Sequence, residues 1–112
     1  LNSRHRARQF ETLLDELVPT RRQPTVLMGD FNCGCNSKGL RNMVHRSGMR
    51  GLDCELKTFP SWRPRHTLDH ILVSRPIEVV SARVVDYALS DHLPISMRIE
   101  LPAGVRLVES PL

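Results

Sequence analysis

A chain of 112 residues, 40% hydrophobic and 25% charged, has the makeup of one globular domain or part of one, which excludes a fibre and a disordered tail. No apolar run nears the roughly 20 residues that a bilayer crossing needs, and with the polar, basic start Leu1-Asn2-Ser3-Arg4-His5-Arg6-Ala7-Arg8 no secretory signal is expected. The net charge of +4 suits a polyanionic substrate as well as it suits an ordinary solvated surface. The first residue is not Met, which suggests sequence upstream. Three cysteines, Cys33, Cys35 and Cys54, form no even framework, so reduced thiols in a cytoplasmic setting are expected. Cys33-Gly34-Cys35 lacks the spacing and the second pair of a zinc site.

Residues 3–18 read as a helix. Phe10, Leu13, Leu14, Leu17 and Val18 make one apolar stripe, Asn2 or Ser3 can cap the start, and Pro19 stops it. Thr25-Val26-Leu27-Met28-Gly29 is a short continuous apolar run, expected as a strand buried on both faces. It ends in the polar loop Asp30-Phe31-Asn32-Cys33-Gly34. Ser37 then offers a cap for a helix carrying Leu40, Met43 and Val44, which Gly48 and Gly51 break. Residues 52–67, with Pro60, Trp62 and Pro64, read as a long loop with one helical turn near 52–56. Strands are expected over 68–74 and 77–85 with Pro76 between them, then a loop over 87–92. Ile95, Met97, Ile99 and Leu101 alternate with Ser96, Arg98 and Glu100, the pattern of a half-buried strand. Residues 102–112 read as a tail beyond a unit spanning 1–101. This order implies an α/β fold with helices layered on a sheet.

Three acidic clusters stand at strand ends: Gly29-Asp30-Phe31-Asn32, Leu68-Asp69-His70 and Ser90-Asp91-His92. Carboxylates at the ends of buried strands cost desolvation unless something pairs with them, and a divalent cation or a phosphate would do so. If the extended geometry continues past Gly29, Asp30 and Asn32 face one site, the carboxylate able to orient a water and the amide able to donate to a phosphoryl oxygen. An Asx turn that merely ends the strand is an equally good reading. Asp91 offers oxygen to a hard cation, and His92 a proton or a hydrogen bond near neutral pH. Asp69 is expected to hold one nitrogen of the His92 ring. Taken alone, an Asp-His pair in a loop is more often plain surface, and the alternative for Asp69 is a structural Asp bonded to backbone amides.

Taken in order, the stretches Val26-Leu27-Met28-Gly29-Asp30-Phe31-Asn32, Thr58-Phe59-Pro60-Ser61-Trp62, Leu68-Asp69-His70-Ile71-Leu72-Val73-Ser74 and Leu89-Ser90-Asp91-His92-Leu93-Pro94-Ile95 resemble the endonuclease/exonuclease/phosphatase superfamily with the DNase I-like fold. The resemblance implies the C-terminal half of a four-layer α/β sandwich, supplying mainly one antiparallel or mixed sheet with packed helices. It implies a magnesium- or manganese-dependent phosphodiester hydrolase, most simply a nuclease. Asp30 would activate water, Asn32 would stabilise the transition state, Asp91 with Asp30 would bind the metal, and His92, oriented by Asp69, would contact the phosphate. Arg63 and Arg65 would pair with substrate phosphates, and Trp62 would stack on a base or sugar or else pack within its loop. His70 is read as packing, and His5, His45 and His66 as surface. The family's early-strand Asn and metal-binding Glu find no match here, so the missing N-terminal half is an expected partner and the isolated chain is expected to be weak or inactive. Other readings are a non-catalytic piece acting through packing or binding, a phosphatase or phospholipid head-group phosphodiesterase of the same fold, and a small nucleic-acid-binding module resting on charge alone.

Overall fold

The computed structural model describes residues 3–17, 23–51 and 54–108. Helix α1 (Ser3–Leu17) and helix α2 (Lys38–Ser47) lie against a three-stranded antiparallel sheet of order β1-β3-β2, formed by Val26–Asp30, Asp69–Val73 and Arg50–Gly51. Strands β4 (Glu78–Val84) and β5 (Ile95–Glu100) make a second antiparallel sheet. The strands thus fall in two sheets where the sequence suggested one. The expected cap Asn2, the stop Pro19 and part of the turn near 52–56 lie outside the described residues.

Two apolar clusters hold the layers together, and β3 belongs to both. Side chains alternate along a strand. Leu72 joins Phe10, Leu14, Leu40, Met43 and Met49 under the helices. Ile71 and Val73 face the other way and join Ile77, with Val79, Ile95, Met97 and Ile99 of the second sheet packed on them. Asp69 shares the face of Ile71 and Val73, so the carboxylate opens toward the gap between the sheets. The alternation of β5 appears as expected, with Ile95, Met97 and Ile99 half-buried and Ser96, Arg98 and Glu100 exposed.

Local chemistry accounts for the helix ends. The Ser37 hydroxyl accepts from the Leu40 amide at 3.2 Å, and Gly48 closes α2 in the left-handed region (φ 69°), which a side chain would resist. Gly39 lets α2 approach α1: a Cβ there would meet the Phe10 ring at 2.7 Å. Glu11 and Arg46 tie the two helices through a forked ion pair whose second contact is 3.2 Å.

Two expectations fail. Strand β1 is not buried on both faces: Val26 and Leu27 are half-buried, while Met28, Gly29 and Asp30 are exposed. Among the described residues β1 pairs only with β3 and so is an edge strand. The thiols are not all free either. Cys35 and Cys54 form a disulfide, and only Cys33 remains a buried thiol. A crosslink between positions 19 apart restricts the unfolded chain by about 3 kcal/mol. Dithiothreitol is therefore expected to lower Tm by on the order of 10 °C or more, and Cys54→Ser to reproduce the shift. A melting curve indifferent to both would remove the crosslink from the stability account.

Candidate active site

Antiparallel register sets Asp30 directly opposite Asp69 across β1 and β3. Opposed residues share a sheet face with their Cβ atoms about 5 Å apart, and like charges so placed repel. The loop leading into β5 delivers the counter-charge. His92 lies with Nδ1 at 2.7 Å from Asp69 Oδ2 and Nε2 at 3.7 Å from Asp30 Oδ2. Ligand atoms of Asp30, Asp69 and His92 all fall within 4.8 Å of one another, a spacing that a metal ion would accept.

Each member is anchored. The Asp30 Oδ1 accepts from the Asn32 amide at 2.8 Å, and Asn32 sits at φ 52°. The chain therefore makes an Asx turn after Gly29, and the extended geometry that would align Asp30 with Asn32 does not continue. The turn occupies Oδ1, while Oδ2 is the oxygen nearer His92. On the far side, the Thr58 hydroxyl donates to the same Asp69 Oδ2 that bonds His92. Thr58 is fully buried, its amide bonds His66 O at 3.0 Å and its carbonyl accepts from the Leu93 amide at 2.8 Å. The Phe59 ring packs on the imidazole with centroids 4.9 Å apart.

The hydrogen bond to Asp69 is the main reason the His92 pKa stands above its ordinary value. Burial opposes the shift, and the charges of Asp69, Asp30 and Asp91 add to it. The shift holds the protonated ring to higher pH than a free imidazole, and in that form Nδ1–H is donated to Asp69 and Nε2–H is left for another acceptor.

The remaining candidates sit around this trio without joining it. Asp91 is exposed and absent from the cluster, because neighbouring side chains leave the backbone in different directions; its carbonyl accepts from the Ser61 amide at 2.7 Å. Asn32 is exposed beside the turn. Arg63 and Arg65 are exposed on the 59–66 loop, which the Phe59–His66 bridge closes. Trp62, at 76% exposure, is not packed within that loop. His70 is buried against the Phe31 ring with Nε2 at 2.7 Å from Cys33 O, a packing role, and His5, His45 and His66 are exposed.

Thr58 is the residue that sequence reasoning passed over. Its stretch was noted, but a hydroxyl two residues before a proline says nothing of which carboxylate it will meet. Thr58→Val keeps the shape and removes the donor. Leaving a partly buried carboxylate oxygen short of a bond is expected to cost about 1–3 kcal/mol of stability, with Thr58→Ser restoring it in denaturant titrations.

The family model for the endonuclease/exonuclease/phosphatase family matches residues 1–92. The chain belongs to this family. No curated protein matches it. Among solved structures it is similar to a mannosyl-6-phosphatase of Bacteroides thetaiotaomicron VPI-5482 at 17% identity and TM-score 0.77, covering 90% of this chain and 48% of that one. It is also similar to a conserved protein of unknown function from Enterococcus faecalis V583 at 20% identity and TM-score 0.73, covering 89% and 46%. These likenesses establish the DNase I-like fold, and the chain spans about half the length of the structures it matches. No helix among the described residues is long and apolar enough to cross a membrane.

Proposed function

We propose that this family member is a divalent-metal-dependent phosphoester hydrolase acting on a phosphodiester. The observation that carries the reading is the His92 ring set between Asp69 and Asp30, with Nδ1 committed to one carboxylate and Nε2 turned toward the other.

The donor set fits a hard cation. Two facing carboxylates at the end of a sheet, with a third at Asp91, are oxygen ligands of the kind that magnesium and manganese prefer. Nε2 of His92 could serve as a ligand only when the ring is neutral. Its raised pKa keeps the ring protonated to higher pH than a free imidazole, so the cation is assigned to the carboxylates, Asp30 with Asp91. A bound cation supplies charge neutralisation at the phosphoryl oxygens.

The chain's own groups do the rest. Asp30 orients the attacking water and accepts its proton through Oδ2. His92 donates Nε2–H to a phosphoryl oxygen as negative charge grows there. Asp69 fixes the ring through Nδ1–H, and Thr58 holds Asp69. The Asn32 carboxamide, carried on the Asx turn, donates to a second phosphoryl oxygen. Arg63 and Arg65 draw in a substrate of several phosphates, and the exposed Trp62 offers a stacking face to a base or sugar. A nucleic acid is the simplest substrate with both features.

Phosphodiester cleavage in magnesium by the protein of natural length, stopped by chelator, tests the reading. Salt-sensitive nucleic-acid binding without turnover would replace it with a binding module. The mannosyl-6-phosphatase neighbour favours a second reading, a phosphomonoesterase. A faster rate on sugar phosphates than on any diester would select it.

A further inference from the structure

A cavity of about 330 Å³ lies beside the strand ends that carry Asp30 and Asp69 and contains none of Asp30, Asp69 and His92 among its described lining residues. One wall is the turn that follows Asn32, closed by the Ser37 amide on Gly34 O at 3.0 Å. The other is the segment that runs from Cys54 to Leu68, immediately before Asp69. The Cys35–Cys54 disulfide joins the two walls covalently. Lys57, Arg65 and His66 all line the space, and none of the described lining residues is acidic. Neither Lys57 nor Arg65 forms an ion pair with a described residue.

We propose that this cavity is a binding site for a phosphate-class oxyanion, separate from the His92 cluster. Two permanent cations lining one cavity, with no carboxylate among its described lining residues, repel each other, and an oxyanion relieves that repulsion while accepting their N–H bonds. The Arg65 guanidinium presents paired donors in a fork, Lys57 a mobile point charge, and His66 a ring N–H. The backbone beneath them is held: the Arg65 and His66 amides both bond Phe59 O at 2.9 Å, and the Thr67 hydroxyl bonds Cys54 O at 2.8 Å. The backbone that carries these side chains is therefore fixed by a crosslinked frame. The oxyanion comes either from free inorganic phosphate or from a second phosphate on the substrate of the proposed reaction. Only the latter source rests on the hydrolase reading.

The test is a titration of the ¹⁵N-labelled chain with inorganic phosphate, followed by amide shifts at fixed ionic strength. Saturable shifts are expected at Gly34–Ser37, Lys57, Arg65 and His66, with Kd on the order of 1 mM. They should persist in His92→Ala and weaken at least tenfold in the double variant Lys57→Gln, Arg65→Gln. Both substituted side chains are exposed, and an unchanged amide spectrum before titration shows that the variant is folded. Shifts confined to residues around Asp30, Asp69 and His92, or a Kd unaltered by the double variant, would overturn the site. A sugar bisphosphate probe distinguishes the sources. Affinity at least tenfold above that of inorganic phosphate, with the gain lost in His92→Ala, assigns the cavity to a second substrate phosphate. Equal affinity assigns it to free phosphate. Failure of hydrolysis with intact phosphate shifts would count against the proposed function and leave this site standing.

Discussion

Replacing His92 with alanine is expected to lower kcat/KM for phosphodiester cleavage by about two to four orders of magnitude, the usual worth of a positioned proton donor. The loss should fall on kcat more than on KM, because Nε2–H is directed at charge that develops only in the transition state. Asp69→Asn should cost less than His92→Ala. The amide preserves the size of the side chain but weakens the hold on Nδ1, so the ring stays in place with a poorer orientation. Asp30→Ala belongs with His92→Ala, since both remove a group from the reacting centre. Effects of residues that act as a unit do not add, so the double variant Asp30→Ala, His92→Ala should lie near the worse single one. Each variant needs an unchanged far-ultraviolet spectrum, which the partial exposure of both side chains favours. Full activity in both single variants would take the reaction away from this cluster.

The second large effect concerns the opposed carboxylates. In the metal-free protein Asp30 and Asp69 face each other at paired positions of adjacent strands, with the His92 ring between them. Above the folded-state pKa of His92, where the ring is neutral, Asp30→Asn removes one like charge without losing an ion pair and is expected to raise metal-free stability by about 0.2–1 kcal/mol. The same change should weaken divalent-cation binding at least tenfold, since a carboxamide is a neutral ligand. A stabilising substitution that destroys cation affinity is the signature of a functional site, where local strain is kept for use.

The pH dependence has opposite signs for the two properties. The His92 pKa is raised in the folded chain, by the Asp69 hydrogen bond before all else. Its contribution to metal-free stability is therefore fully present below the unfolded-state value near 6.5 and is lost as pH rises through the higher folded value. Cation affinity should move the other way, growing over that same rise as the competing positive charge leaves the ring. Urea titrations across the interval, with and without manganese, would display the crossing. Parallel slopes would mean that His92 and the cation do not share a site.

Much of this was legible in the sequence, and the reasons differ by residue. The α1 stripe and the β5 alternation are periodic, and periodicity is a one-dimensional signal of a local structure. The end of α2 was legible for the same kind of reason, since Ser37 and Gly48 act within a turn of themselves. The pairing of Asp69 with His92 was expected from the chemistry of an Asp that fixes an imidazole tautomer, and the motif resemblance agreed with it, although nothing in a separation of 23 residues states a distance of 2.7 Å. The Cys35–Cys54 crosslink was missed on the same ground: an odd cysteine count argued against pairing, yet two thiols brought together by the fold need no even number. The exposure of Met28 was missed because an apolar run does not tell an edge strand from a central one. The left-handed Asn32 resolves the open choice between an extended pair and an Asx turn in favour of the turn, and still leaves Asp30 Oδ2 for the site.

The central claim is that Asp30, Asp69 and His92 surround one cation-and-phosphate centre. Paramagnetic broadening by manganese of the ¹⁵N-labelled chain tests it most directly. Substoichiometric manganese is expected to erase the amide signals of residues around 30, 69 and 91–92 first, and Asp30→Asn to abolish this selectivity. Uniform broadening, or selective loss at some other place in the chain, would contradict it.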